Sequence, residues 1–325
     1  MVKTRVTELL GTKYPIMQGA MARIADGNLA GAVSAGGGLG IIACGGAPLD
    51  WVEAQVKRAR EIAGDAPIGA NVMLMDPNAA ELAELLAQLR VDVITTGAGS
   101  PSTFIGRWKE VGAKVIPVVA SSALAARMEK CGVDAVVAEG TESGGHIGEL
   151  TTMALVPQVC DTVSIPVIAA GGIADGRGMA AAFALGAEGV QVGTRFLTVE
   201  ECGVADAYKE RVLKAKDSDT VVTGRGSGHA VRGLKNKWAR AVRKLEDSNM
   251  GSDELEQYYV GSLRRAVEGD VDNGSMMAGQ VACLVHERKT AAEVLRELME
   301  EGTARGALDL QALADANAAR AFKEA

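Results

Sequence analysis

The feature that most constrains this chain is an eightfold alternation. Short β-branched runs at 15–18, 39–43, 68–72, 92–96, 114–119, 135–138, 167–170 and 189–192 are each followed by a segment with helical spacing, among them 49–63, 78–89, 122–131, 150–163 and 175–185. Strand and helix in regular succession imply parallel strands joined by right-handed crossovers. Eight such units within about 195 residues suit an α/β fold of the closed TIM-type (β/α)8 barrel kind better than an open sheet. An open doubly wound sheet is the lesser option. Its dinucleotide fingerprint after the first strand is missing, and Gly36-Gly-Gly-Leu-Gly40 precedes a strand instead of opening a helix.

After Arg195 the pattern changes. Residues 203–270 carry the turn Gly224-Arg-Gly-Ser-Gly228, a strand candidate at 220–223 and charged, helix-like stretches. They read as a smaller lid or substrate domain inserted after the eighth strand. The small, apolar segment Asp272-Asn-Gly-Ser-Met-Met-Ala-Gly-Gln280 returns to the barrel mouth, ahead of C-terminal helices at 291–301 and 308–322. Residues 1–202 and 271–325 are thus expected to form the barrel with its C-terminal helices, and 203–270 the insertion.

Composition excludes several classes. Aromatic residues make up 3% of a chain that is 48% hydrophobic, so the core must be built from Ala, Val, Ile, Leu and Met. A net charge of −7 argues against general nucleic-acid binding. No apolar stretch approaches the ~20 residues of a membrane span, and Lys3, Arg5 and Glu8 leave no apolar leader at the start, so a cytoplasmic location is expected. Five cysteines (Cys44, Cys131, Cys160, Cys202 and Cys283) are scattered without a Cys-x-x-Cys pair, which speaks against a zinc site or a disulfide framework.

In such barrels the chemistry sits at the carboxyl ends of the strands. Two of these ends are glycine-bearing: Pro166-Val-Ile-Ala-Ala-Gly-Gly-Ile-Ala-Asp175 and Gly189-Val-Gln-Val-Gly-Thr-Arg195. Glycine lets main-chain N–H groups approach a ligand with no Cβ in the way, and the last two strands are where barrel enzymes commonly hold a phosphate. The other ends supply Gln18-Gly-Ala-Met21, Asn71, Thr96-Gly-Ala-Gly99 and Glu139, a polar set with Glu139 as its carboxylate and no lysine. An aldolase or isomerase would need a lysine nucleophile or a carboxylate pair. Amides, N–H donors and methionines suit instead a planar heterocycle that brings its own reactivity, as flavin mononucleotide (FMN) does.

The loop Glu139-Gly-Thr-Glu-Ser-Gly-Gly-His-Ile-Gly148 holds the sharpest local signal. Paired glycines let it fold over a ligand, and the imidazole of His146 can exchange a proton near neutral pH. The bland alternative is a histidine satisfied by the backbone. His229 and His286 have weaker claims. Asn71 could pair with a pyrimidine edge or cap a turn, Glu139 could hold ribityl hydroxyls or a salt bridge, and Met276 and Met277 could wall a flavin or pack the core. Between residues 225 and 244 stand Arg225, Arg232, Lys235, Lys237, Arg240, Arg243 and Lys244 without an acidic residue, a candidate docking face for an anionic partner or a phosphorylated carrier. A solvated helix face is the alternative.

The combination Tyr14-Pro-Ile-Met-Gln-Gly-Ala-Met21, Gly37-Gly-Leu-Gly-Ile-Ile42, Thr95-Thr-Gly-Ala-Gly99, Gly144-Gly-His-Ile-Gly148, Ala169-Ala-Gly-Gly-Ile-Ala-Asp-Gly176, Gln191-Val-Gly-Thr-Arg-Phe196 and Met277-Ala-Gly-Gln280 resembles the nitronate monooxygenase superfamily. Within it the chain is most similar to the flavin-dependent enoyl-acyl-carrier-protein reductases II. The Met-Ala-Gly-Gln segment, the stretch ending at Arg232 and the overall length carry that preference.

The resemblance implies FMN at the barrel mouth, NADH or NADPH as hydride donor, an enoyl thioester on acyl carrier protein as acceptor and a homodimer. A monovalent cation such as K+ or NH4+ is implied too, with carbonyls around Glu200-Glu-Cys202 as its expected ligands. Carried over residue by residue, Gly171, Gly172, Gly193 and Thr194 would hold the phosphate, with Ala170 beside them as a cofactor contact. Met21, Ala22 and Asn71 would line the ring, with Glu139, Gly145, Gln191, Met277 and Gln280 as further cofactor contacts. His146 would be the catalytic residue beside the thioester. The rival within the superfamily is a nitronate monooxygenase, with the same histidine as base and oxygen as acceptor. A third reading is a noncatalytic flavin- or phosphate-binding barrel.

Overall fold

The computed structural model describes residues 2–226, 228, 230–248, 252–304 and 309–321. Its strands are β1 (Ile16–Gln18), β2 (Gly40–Ala43), β3 (Ile68–Met73), β4 (Val93–Gly97), β5 (Lys114–Val119), β6 (Val136–Glu139), β7 (Gly145–His146), β8 (Val167–Ala170), β9 (Gly189–Val192), β10 (Thr220–Thr223) and β11 (Val231–Leu234). Eight of them form one parallel sheet in the order β1-β9-β8-β6-β5-β4-β3-β2.

The two ends of that sheet meet. Met17 and Leu39 form a parallel bridge, with Leu39 N donating to the Ile16 carbonyl and Gln18 N to that of Leu39, each at 2.9 Å. The Gln18 side chain adds to the seam, its Oε1 accepting from Ile41 N at 3.1 Å. The sheet is therefore a closed α/β barrel, as the alternation implies. Strand bounds agree with the expected ones to within a residue; Leu39 joins by its bridge alone, and Glu139 is the last residue of β6.

Strand alternation sorts the side chains into two cores. Met17, Leu39, Ile41, Val93, Ile116, Ala135, Val137, Ile168 and Ala170 fill the barrel interior, while the opposite parity packs outward on the helices. A helix absent from the expected alternation, Arg5–Leu10, closes the amino end. It starts in a reciprocal cap, Thr7 N to Thr4 Oγ1 at 3.1 Å and Thr4 N to Thr7 Oγ1 at 2.9 Å, and ends at Gly11 in the left-handed region (φ 70°). Its Val6 and Leu10 join the interior cluster, and Arg5 Nε holds the buried Glu188 at 2.9 Å. That end is plugged by apolar side chains.

A second sheet has the order β10-β11-β7. It is antiparallel, pairing Thr220 with Leu234, Val231 with His146 and Arg232 with Gly145. The loop after β6 is thereby sewn to the 220–234 hairpin, a pairing that bridges some 85 residues of sequence and that local pattern does not reveal. The helix Lys237–Asp247 buries Trp238, Ala239 and Val242. Trp238 meets Tyr259 edge to face, ring centroids 5.7 Å apart. C-terminal helices run Ala291–Ala304 and Leu310–Ala321; the outer ends of the expected second helix, 308 and 322, lie outside the described residues. No helix among the described residues is long and apolar enough to cross a membrane.

Candidate active site

Two residues past the apolar interior, the inward-facing positions turn polar. Asn71 on β3, Thr95 on β4, Glu139 on β6 and Gln191 on β9 follow Gly69, Val93, Val137 and Gly189 at the period of a strand. Asn71 pairs with Thr95 in register, and its Nδ2 donates to Thr95 Oγ1 at 2.9 Å, which fixes the amide and leaves its oxygen to accept from a ligand. Glu139 is level with Ala170, and Ala170 with Gln191. The Gln191 amide lies along Gly19, where a Cβ would come within 3.4 Å of its Cδ and Nε2.

Parity excludes two of the strand-end residues. Thr96 is fully buried on the helix side of β4, beside Ile94 and Val72, with its hydroxyl unpartnered; Gln18 is spent on the barrel seam. Thr95, one residue earlier, is the mouth residue. Counting inward positions from Val93 would have found it.

Glu139 is half-buried, and removal from water pushes its carboxyl up from near 4.5 to about 7. The Ser143 hydroxyl faces it and offsets part of that rise, without reaching hydrogen-bond geometry; Ser143 Oγ is buried and has no hydrogen-bond partner. A carboxyl and a hydroxyl left short of partners at the mouth match a ligand that brings hydroxyls of its own.

The cradle lies beside them. β8 runs out into Gly171 and Gly172, both in the left-handed region (φ 89° and 73°), and β9 into Gly193 and the short 3-10 turn Thr194–Thr198. Among the described residues the main-chain N–H groups of Gly171, Gly172, Gly193 and Thr194 make no hydrogen bond within the protein. Unpaired N–H groups on two adjacent strand ends form an anion nest. A Cβ on Gly193 would meet nothing nearer than Met21 Sδ at 4.0 Å, so the space in front of this strand end is kept open. FMN fits this donor set: N–H groups for a phosphate, amides for a ring edge and Glu139 with Ser143 for a ribityl chain.

The rim is assembled from distant segments. Glu142 accepts from the Thr152 N–H at 2.9 Å and its hydroxyl at 3.0 Å, anchoring the loop to the start of the helix Thr152–Thr162. Gly279 N donates to Thr194 Oγ1 at 2.8 Å and Gln280 N to the Glu142 carbonyl at 2.9 Å, so the 275–280 segment does return to the mouth. There Met277 Sδ would lie 3.6 Å from a Cβ on Gly145, whereas Met276 is buried. Tyr208 OH holds the Met277 carbonyl at 2.8 Å. His146 is exposed on β7, and Ala22, Gln280 and His286 are exposed as well. His229 lies outside the described residues.

In the segment of the expected cation ligands, the buried Lys209 donates from Nζ to the Val199 carbonyl at 2.7 Å, and the Glu201 carboxylate accepts from Ala291 N at 3.0 Å. No cluster of metal-ligating side chains occurs among the described residues.

A parallel barrel with an anion nest and an amide-lined mouth that lacks a lysine defines the class: a flavin-dependent α/β-barrel oxidoreductase. The chain belongs to the nitronate monooxygenase family, whose model matches residues 3–89 and 80–301. It is 33% identical to a probable nitronate monooxygenase of Staphylococcus aureus, over 86% of this chain and 91% of the relative. It is 39% identical to (3aS,4S,5R,7aS)-5-hydroxy-7a-methyl-1-oxo-octahydro-1H-indene-4-carboxyl-CoA dehydrogenase of Mycobacterium tuberculosis, over 82% of this chain and 73% of that protein. Among solved structures it is similar to FabK from Thermotoga maritima, with 49% identity and a TM-score of 0.91 over 94% of this chain and 97% of FabK.

Proposed function

We propose that this chain is an FMN-dependent enoyl-acyl-carrier-protein reductase that takes hydride from NADH or NADPH and reduces the trans-2 double bond of an enoyl thioester. The observation that carries the reading is the 49% identity with FabK, an enoyl-acyl-carrier-protein reductase II, over nearly the whole chain. The Mycobacterium tuberculosis relative, by its name, also acts on a thioester.

In this reading the N–H groups of Gly171, Gly172, Gly193 and Thr194 hold the phosphate of FMN, and Glu139 the ribityl hydroxyls. The Asn71 and Gln191 amides meet the ring edge, and Met21, Ala22, Ala170 and Met277 its faces, with Gly145 and Gln280 at the rim. FMN, when bound, supplies the hydride chemistry. His146, exposed on β7, serves the thioester by stabilising enolate charge or giving a proton from its imidazole to the α-carbon. The paired glycines before it let the loop lie close to the substrate and keep water out. Residues 203–270 act as the lid, the enzyme works as a cytoplasmic homodimer, and a monovalent cation supports it.

The family's name favours a second reading, oxidation of alkyl nitronates by oxygen with His146 as base. Steady-state assays with crotonyl thioester plus NADH or NADPH, set beside assays with a nitronate plus oxygen, separate the two. Turnover of the thioester supports the reductase; turnover of the nitronate alone overturns it.

A further inference from the structure

The hairpin that holds the His146 loop carries a buried cation that forms no ion pair with any carboxylate among the described residues. Arg232 on β11 is 7% exposed. Its Nε donates to the Thr141 carbonyl at 3.0 Å and its Nη1 to Thr220 Oγ1 at 3.3 Å. A guanidinium has about five N–H donors, so most remain unused. Among the described residues no acidic side chain lies within salt-bridge distance of it. The carboxylate whose charge acts on it, that of Glu142, is committed to Thr152.

Burial makes this positive charge costly, and Arg225, near enough for its own charge to act, adds to the cost. Arg225 is exposed and forms no ion pair or hydrogen bond through its side chain among the described residues. Fixing Thr141 needs a donor, not a full charge, and it does not account for a second arginine alongside.

Arg232 stands at the mouth. Arg232 is in register with Gly145, next to His146, and neighbouring strands lie about 5 Å apart. Its partner Thr141 precedes Glu142, whose Cβ would lie 3.5 Å from a Cβ on Gly172. Two guanidinium groups without acidic partners among the described residues, at the edge of a ligand site, form the environment that binds a phosphate group.

Building on the reductase reading, we infer that Arg232 and Arg225 form an anion subsite that takes the phosphate of a substrate entering over the flavin. Two substrates could bring that group: a reduced nicotinamide dinucleotide through its 2′-phosphate, or an acyl carrier through its pantetheine phosphate.

Calorimetric titration of the flavin-loaded protein tests it with paired probes, adenosine 2′-phosphate against adenosine and 4′-phosphopantetheine against pantetheine. At least one phosphorylated probe should bind about tenfold tighter than its twin, and the pair that does so identifies the source. Arg225→Gln, a surface change, should abolish the advantage, as should Arg232→Gln. Equal binding within both pairs, or an advantage that survives Arg225→Gln, overturns the subsite. Failure of both nicotinamides to reduce the flavin while the phosphate advantage stands would instead remove the reductase reading and leave the subsite in place.

Discussion

Gly279 N donates to Thr194 Oγ1 at 2.8 Å, joining the end of the eighth barrel strand to a segment 85 residues further along the chain. Both residues are buried, and the bond closes the rim beside the proposed phosphate nest. Thr194→Val keeps the shape and removes the acceptor, leaving a buried N–H unpaired at a cost of about 1–3 kcal/mol. The variant should melt several degrees lower and purify with less flavin, whereas Thr194→Ser should restore both. Equal flavin content in the valine variant would detach this bond from the cofactor site.

Gly193 and Gly171 separate binding from folding. Gly193 has φ −111° and open space where a Cβ would project, so Gly193→Ala should fold with unchanged or slightly higher melting temperature. In the nest the same methyl group competes with the phosphate, and flavin affinity should fall at least about tenfold, roughly the loss of one charge-assisted hydrogen bond. Gly171→Ala should fail at the fold itself, because φ is 89° and the Cβ would come within 2.7 Å of the Gly140 carbonyl. Fluorescence titration with FMN and thermal melts check both. Full flavin affinity in a folded Gly193→Ala protein would refute the nest.

His146 is exposed, so replacing it should move stability by less than about 0.5 kcal/mol. His146→Ala should therefore keep its flavin and its melting temperature. Its kcat should fall by about 10²-fold or more, the scale of a lost acid–base group. Unchanged turnover at full flavin occupancy removes the proton or enolate role.

Glu139 gives the flavin-free protein a pH signature. Its carboxyl titrates near 7 when folded and near 4.5 when unfolded, so between those values the folded state binds more protons. Stability is greatest below about 4.5 as far as this group is concerned, and falls as pH rises through 7, by at most about 3 kcal/mol. Glu139→Gln should flatten that part of the stability–pH curve. A curve with the same slope in both proteins would contradict the desolvated carboxyl.

The barrel was legible because its strands and helices alternate locally, and the glycines at 171, 172 and 193 mark where two of them end. What escaped was set by long-range contact or by parity. β7 has only two residues and is a strand because it pairs with β11, some 85 residues further along; alone it is too short to announce itself. The helix Arg5–Leu10 is a single plug whose apolar residues gain meaning only against Gly189 and the barrel interior. Thr95 and Thr96 are adjacent in sequence, yet one faces the mouth and the other the helices, a distinction that requires the phase of β4. Arg232 reads as one cation in a basic run until the fold buries it beside the loop of His146.

The most direct measurement mixes the flavin-loaded protein anaerobically with NADH or NADPH, then with crotonyl thioester, while the long-wavelength flavin absorbance is followed. The reductase account expects bleaching by the nicotinamide and recovery on adding the thioester. A flavin that stays oxidised with either nicotinamide, in a protein that consumes a nitronate with oxygen, would contradict it.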